Sequence, residues 1–187
     1  MFILYSLVVG LVLGLVLGGR VGRLAALSFR WSAAILLGLL VQIVLFAPFI
    51  ADRVGAWGPA LYVGSTALVL AAVARNYAVR GMPVVILGAG SNFAAIVSNG
   101  GFMPASPDAL AALNKGLPHT YSNSSVVPNP ALAPLTDIFA LPSWLPVTNV
   151  FSIGDVLIGA GVAAVIVLAM RRRGDPPASP EERATPG

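Results

Sequence analysis

Two aspartates, Asp137 and Asp155, are the residues of this chain whose type and placement suit chemistry. They stand in Leu135-Thr136-Asp137-Ile138-Phe139 and Phe151-Ser152-Ile153-Gly154-Asp155, where a long polar segment runs into the last apolar stretch. The chain has only seven acidic residues, and a carboxylate at a membrane boundary is costly without a partner or a task. Two carboxylates that share a site do not both ionise cheaply, so one keeps a proton. The ionised member would activate water and the protonated member would polarise a carbonyl, which is aspartyl hydrolase chemistry. Each residue also has a plain structural reading. Asp155 opens a helix, where the dipole and the free N–H groups favour a carboxylate. Asp137 can be an ordinary turn residue.

Three asparagines are candidate binding groups: Asn92, Asn99 and Asn149, of which Asn99 and Asn149 would orient a substrate beside the aspartates. Gln42 and Asn92 fall near the middle of apolar stretches, where a buried amide needs a partner. An interhelical hydrogen bond is the preferred reading and ligand binding the other. His119 is the single histidine, without the carboxylates or cysteines that a metal site requires, and reads as a surface residue. Ser122, Ser124 and Ser125 have no adjacent base, which argues against a serine hydrolase. Gly88-Ala89-Gly90 lies in an apolar span with no strand before it, so it is not a dinucleotide fingerprint. No cysteine is present, which excludes disulfides and thiolate chemistry. No cofactor and no metal are expected.

The elements that must hold these groups are membrane helices. Of 187 residues, 57% are hydrophobic and 10% charged, and mean hydropathy is +0.88. Soluble domains carry roughly 25% charged residues. A spanning helix needs about 20 mostly apolar residues. Five stretches qualify: Phe2–Gly18, Ser32–Ile50, Ala60–Ala74 with its flanks, Met82–Ser98 and Ser152–Met170. The first lacks a positive segment before it and is followed by Arg20 and Arg23, which favours a retained helix over a signal peptide. Its Gly10, Gly14 and Gly18 share one face and permit close packing, against its own bundle or, less favoured, a second copy. Gly159 and Gly161 are expected to serve packing in the same way.

Basic residues set the orientation. Arg20, Arg23, Arg30, Arg75, Arg80, Arg171, Arg172, Arg173 and Arg183 fall in three segments that are all cytoplasmic if the N-terminus is outside. Only Arg53 and Lys115 are then outside, which is the positive-inside pattern. This placement accounts for the net charge of +4 without nucleic acid. The expectation is an all-α polytopic bundle of five spans in a bacterial inner membrane, N-terminus out and C-terminus in. Residues 1–170 form one transmembrane domain with an extracytoplasmic loop over 99–151, and 171–187 a disordered cytoplasmic tail. That loop is long enough to be functional or disordered. Its Phe102, Met103, Phe139, Leu141, Trp144 and Leu145 suggest packing on the bundle, with Trp144 at headgroup level. A short helix over Ala109–Leu113 would be capped by Ser106 or Asp108.

The span from Gly88 to Gly161 resembles an uncharacterised bacterial membrane family, domain of unknown function 5317. The resemblance rests on Asn99-Gly100-Gly101-Phe102-Met103-Pro104, the Leu135–Ile138 stretch and Phe151-Ser152-Ile153-Gly154-Asp155. It implies a membrane protein and no particular activity. More distantly, Phe151, Gly154, Asp155 and Ile158 resemble the motif that opens the last helix of the aspartyl lipoprotein signal peptidase. That likeness implies catalytic roles for Asp137 and Asp155 on the outer side of the membrane. The chain departs from that family in its five expected helices, its outside N-terminus, and Ser152 where the motif has asparagine. The expected partners are the lipid bilayer and, beyond it, a membrane-anchored peptide or another membrane protein. The favoured role is an accessory or assembly protein with an extracytoplasmic polar site. A membrane-embedded aspartyl peptidase-like hydrolase and a small transporter are the alternatives.

Overall fold

The structure is a computed structural model that describes residues 2–113 and 124–172. Lys115, His119, Ser122, Arg173, Arg183 and most of the expected tail lie outside the described residues. Five long helices stand where the apolar stretches predict helix: α1 (Phe2–Val16), α2 (Ser32–Leu45), α4 (Trp57–Ala74), α5 (Met82–Ser98) and α7 (Ile153–Met170). Two of them, α4 and α7, are long and apolar enough to cross a membrane, and α1, α2 and α5 are shorter apolar helices. Two short helices, α3 (Pro48–Ala51) and α6 (Pro107–Ala112), lie between them.

Local chemistry sets the helix ends. The second stretch was expected to run to Ile50, but α2 stops at Leu45. Pro48 cannot continue the ladder, and it drives Ala47 into an extended conformation (φ −66°, ψ 133°). Pro48 then serves as the first residue of α3, where its missing N–H costs nothing. Before α5, Gly81 adopts φ +95°, and a Cβ there would come within 2.8 Å of the Val165 backbone nitrogen. α6 begins after Ser106 as expected, but the Ser106 side chain makes no capping bond.

The long helices pack in a row, α1 on α7, α7 on α5, α5 on α4 and α4 on α2. Small residues set the close seams. The glycine face of α1 meets α7 of the same chain: a Cβ on Gly10 would sit 2.9 Å from Ala163 Cα, and one on Gly14 would overlap Met170. Gly88 of α5 lies against Gly154 and Ile158 of α7, and Gly161 of α7 against Val85 of α5.

The row has two distinct ends. At one, the Arg23 guanidinium and the Arg20 N–H donate to the Met170 carbonyl at 3.0 Å each, closing the C-terminus of α7. Nearby, buried Asn76 forms a two-way clamp with Arg30, accepting from its N–H at 2.7 Å and donating to its carbonyl at 2.8 Å. We call this the Arg end. At the other, the Asp end, the segment from Asn99 to Ser152 folds over the helices. It holds two small sheets, β1 (Met103–Pro104) parallel to β2 (Ser124–Ser125) and β3 (Phe139–Ala140) antiparallel to β4 (Val150–Phe151). A core of Leu45, Tyr62, Ala95, Ile96 and Met103 joins this segment to the bundle. The expectation that its apolar residues pack on the helices therefore holds for Met103; Trp144, expected at headgroup level, is 79% exposed.

Candidate functional site

A cavity of about 420 Å³ is lined by residues of all five long helices and of the Asp-end segment. Asp137 and Asp155, far apart in sequence, both line it, together with Asn92 and Asn149. Gln42, Thr66 and Tyr62 complete its polar lining.

Asp155 is fixed by its own helix. Ser152 is the N-cap of α7, and its Oγ accepts from the Asp155 N–H at 3.0 Å. In return the Asp155 carboxylate accepts from the Ser152 N–H at 3.1 Å, which completes a capping box. Asn92 of α5 closes the network. Its Nδ2 donates to Asp155 Oδ1 at 2.9 Å, and its Oδ1 accepts from Ser152 Oγ at 2.8 Å. Ser152 is completely buried. Gly154 permits this approach, since a Cβ there would overlap the Asn92 amide. The network uses two of the roughly four acceptor positions of the carboxylate.

Asp137 is placed by backbone. Its N–H donates to the Pro104 carbonyl and its carbonyl accepts from the Ser106 N–H, each at 2.9 Å, forming a parallel bridge with Ala105. The residue is 5% exposed. Neighbouring Thr136 is also buried and donates to the Ala133 carbonyl at 2.8 Å, which holds the turn before the aspartate.

Among the other expected site residues, Asn149 is anchored by its carbonyl, which accepts from the Leu141 N–H at 3.0 Å. Asn99 is elsewhere. It ends α5, donates to the Ala95 and Ala131 carbonyls at 2.7 and 2.9 Å, and accepts from the Ala131 N–H at 2.9 Å. Its geometry is that of a loop clamp, and it does not line the cavity. Gln42 donates to Thr66 Oγ1 at 3.3 Å, joining α2 to α4, while Asn92 joins α5 to α7. Both amides thus make interhelical hydrogen bonds and also face the cavity. Ser124 and Ser125 lie in β2. No cluster of metal-binding side chains occurs among the described residues.

Sequence reasoning missed two contributors to this site and one clamp at the Arg end. Ser152 was legible, because Ser-x-x-Asp at the start of an apolar run is a capping box. Asn76, in a polar turn, carried no signal of its clamp on Arg30. The second contributor to the site is an aromatic rim: Phe2 stacks on Phe151 with ring centroids 4.7 Å apart, and Phe139 stacks on the other side at 5.4 Å. Beside it the Tyr5 hydroxyl bonds both the carbonyl and the N–H of Val147 at 3.2 Å, tying α1 to the Asp-end segment.

The arrangement offers two carboxyl groups, three amides, a threonine hydroxyl and three aromatic rings around one cavity, with no Arg, Lys or His among the described residues of its lining. Such a surface accepts hydrogen bonds and positive charge.

No curated protein and no solved structure matches the chain. One family description does match, over residues 26–167, a range that includes α2, α4, α5, the Asp-end segment and most of α7. The chain belongs to the Family of unknown function (DUF5317).

Proposed function

We propose that this chain is a five-span protein of a bacterial inner membrane, N-terminus out and C-terminus in, that binds a ligand in its Asp-end cavity in an accessory or assembly role. The observation that carries the non-catalytic reading is the state of Asp155. Its carboxylate is held in place by a helix cap and by Asn92, which leaves acceptor positions for a ligand. This fixed setting suits binding better than the proton exchange required of a catalytic aspartate.

Several features support the membrane reading. Only 22% of the α4 span and 33% of the α7 span is buried, unlike the core helices of a soluble domain. α1 and α2 expose Leu4, Val8, Leu15, Leu36, Leu40 and Ile43, an apolar surface that lipid would cover. α2 alone, at 14 residues, is about 21 Å long, short of a hydrocarbon core of about 30 Å. The apolar residues of 46–51 extend it at the Asp end. The gathering of Arg20, Arg23, Arg30, Arg75, Arg80 and Arg171 in the Arg-end turns fits a cytoplasmic face.

The reading is tested by reporters. One fused after Lys115 should read extracytoplasmic and one after Arg173 cytoplasmic; the reverse pair would end the proposed orientation. An aspartyl hydrolase remains the second reading, because both aspartates line one cavity. It requires that Asp137→Asn and Asp155→Asn each abolish an in-vivo phenotype while folded protein persists in the membrane. Under the binding reading Asp155→Asn chiefly lowers stability, by about 1 kcal/mol for a weakened cap.

A further inference from the structure

We infer that the cavity holds a single-chain amphiphile whose head carries a protonated amine, with the head at the Asp end and the chain directed toward the Arg end. The inference rests on the membrane-embedded binding reading above.

Polarity along the cavity is the first argument. On α5 the lining residues are Val85, Ala89, Asn92 and Ile96, one face of the helix, extending about 16 Å along its axis. On α4 they run from Tyr62 and Thr66 to Val69, Leu70 and Val73. Among the described residues, every polar lining group, Asp137 and Asp155 included, belongs to the Asp-end half. The half toward the Arg end is aliphatic: Val69, Leu70, Val73, Val85 and Ala89. A wholly polar solute would leave that half without favourable contact, and a wholly apolar one would strand the carboxyl groups. The volume of about 420 Å³ falls in the range of small-molecule sites.

Charge identifies the head. An anionic head is normally met by Arg, Lys or a helix N-terminus. Among the described residues the lining contains neither Arg nor Lys, and the N-terminus of α7 is already filled by the Asp155 carboxylate and Ser152 Oγ. An ammonium group instead meets two carboxyls, amide oxygens and the rings of Phe2 and Tyr62, whose faces attract cations.

Access supplies the third argument. α1 and α2 are the ends of the helix row and do not pack along one another, yet both reach the cavity. Ile3 of α1 and Leu39 of α2 line it while remaining 39% and 43% exposed. This side faces lipid in the proposed topology, so a membrane-dissolved amphiphile reaches the cavity without crossing water.

The test uses the full chain in phosphatidylcholine nanodiscs, with dodecylamine, dodecanol and dodecanoate as probes and thermal unfolding as the readout, since a ligand of the folded state raises the midpoint saturably. Dodecylamine should raise it at the lowest concentration and dodecanoate should not. Asp137→Asn should weaken the dodecylamine response at least about tenfold. If that variant does not fold, Ala89→Leu decides: filling the aliphatic half should weaken dodecylamine while sparing octylamine. Equal or stronger stabilisation by dodecanoate, or an amine response unchanged in a folded variant, would overturn the inference. With the reporters reading as proposed, that result removes the ligand class alone; reversed reporters remove the proposed orientation as well.

Discussion

At the scale of single residues, the account turns on Asn92, Ser152 and Asp155. Four hydrogen bonds between 2.8 and 3.1 Å join them into one closed unit across two helices. Ser152→Ala and Asn92→Ala should each lower stability by about 1–2 kcal/mol, because each leaves a buried polar group without its partner. The double variant should lose clearly less than the sum, since the residues share partners. Ser91→Ala is the contrasting case. The Ser91 hydroxyl is buried without a hydrogen-bond partner, so its removal should change stability by no more than about 0.5 kcal/mol. Thermal unfolding of the purified variants checks all four. The sequence marked Asp155 as a helix-opening carboxylate, and motif spacing alone could have added Ser152. It could not show that Asn92, 60 residues earlier, closes the same unit, since that contact exists only once α5 and α7 pack.

At the scale of elements, the helices were legible because apolar stretches bounded by Arg, Gly and Pro admit few alternatives. The break after Leu45 was not read, although Pro48 announces it. The glycine seams were legible as packing, but their partners were not. Gly88 and Gly154 face each other across α5 and α7, so Gly154→Ala must push Asn92 aside. Overpacking of this kind costs about 1–3 kcal/mol, and it should also detach Asn92 from Asp155. The expected outcome is a lower unfolding midpoint than for Gly90→Ala, since nothing lies within 4 Å of a Cβ at Gly90. Equal effects at the two positions would mean that the α5–α7 seam is looser than described. The Asp-end segment was the least legible element. Its two-residue strands are set by long-range pairing, such as Met103 with Ser124, which leaves no periodicity in the sequence. For the same reason the place of Asp137 in the cavity could be posed as a pairing with Asp155 but not read.

At the scale of the whole molecule, charge and polarity are sorted in one direction. The basic turns gather at one end of the row and the carboxyl groups of the cavity at the other, in a bundle whose outer surface is largely aliphatic. The spacing of the Arg residues between apolar stretches made this sorting readable from the sequence, whereas the cavity depends on how five helices pack, which no local pattern encodes. The central claim is that the Asp end lies on the outer side of a membrane. The chain has no cysteine, so single cysteines can report directly on sidedness. The decisive measurement is labelling of Asn149→Cys, at the cavity, and Arg171→Cys, at the end of α7, with a membrane-impermeant maleimide in intact spheroplasts. The account predicts that the first is labelled at once and the second only after the membrane is opened. Protection of Asn149→Cys together with labelling of Arg171→Cys in intact spheroplasts would contradict it.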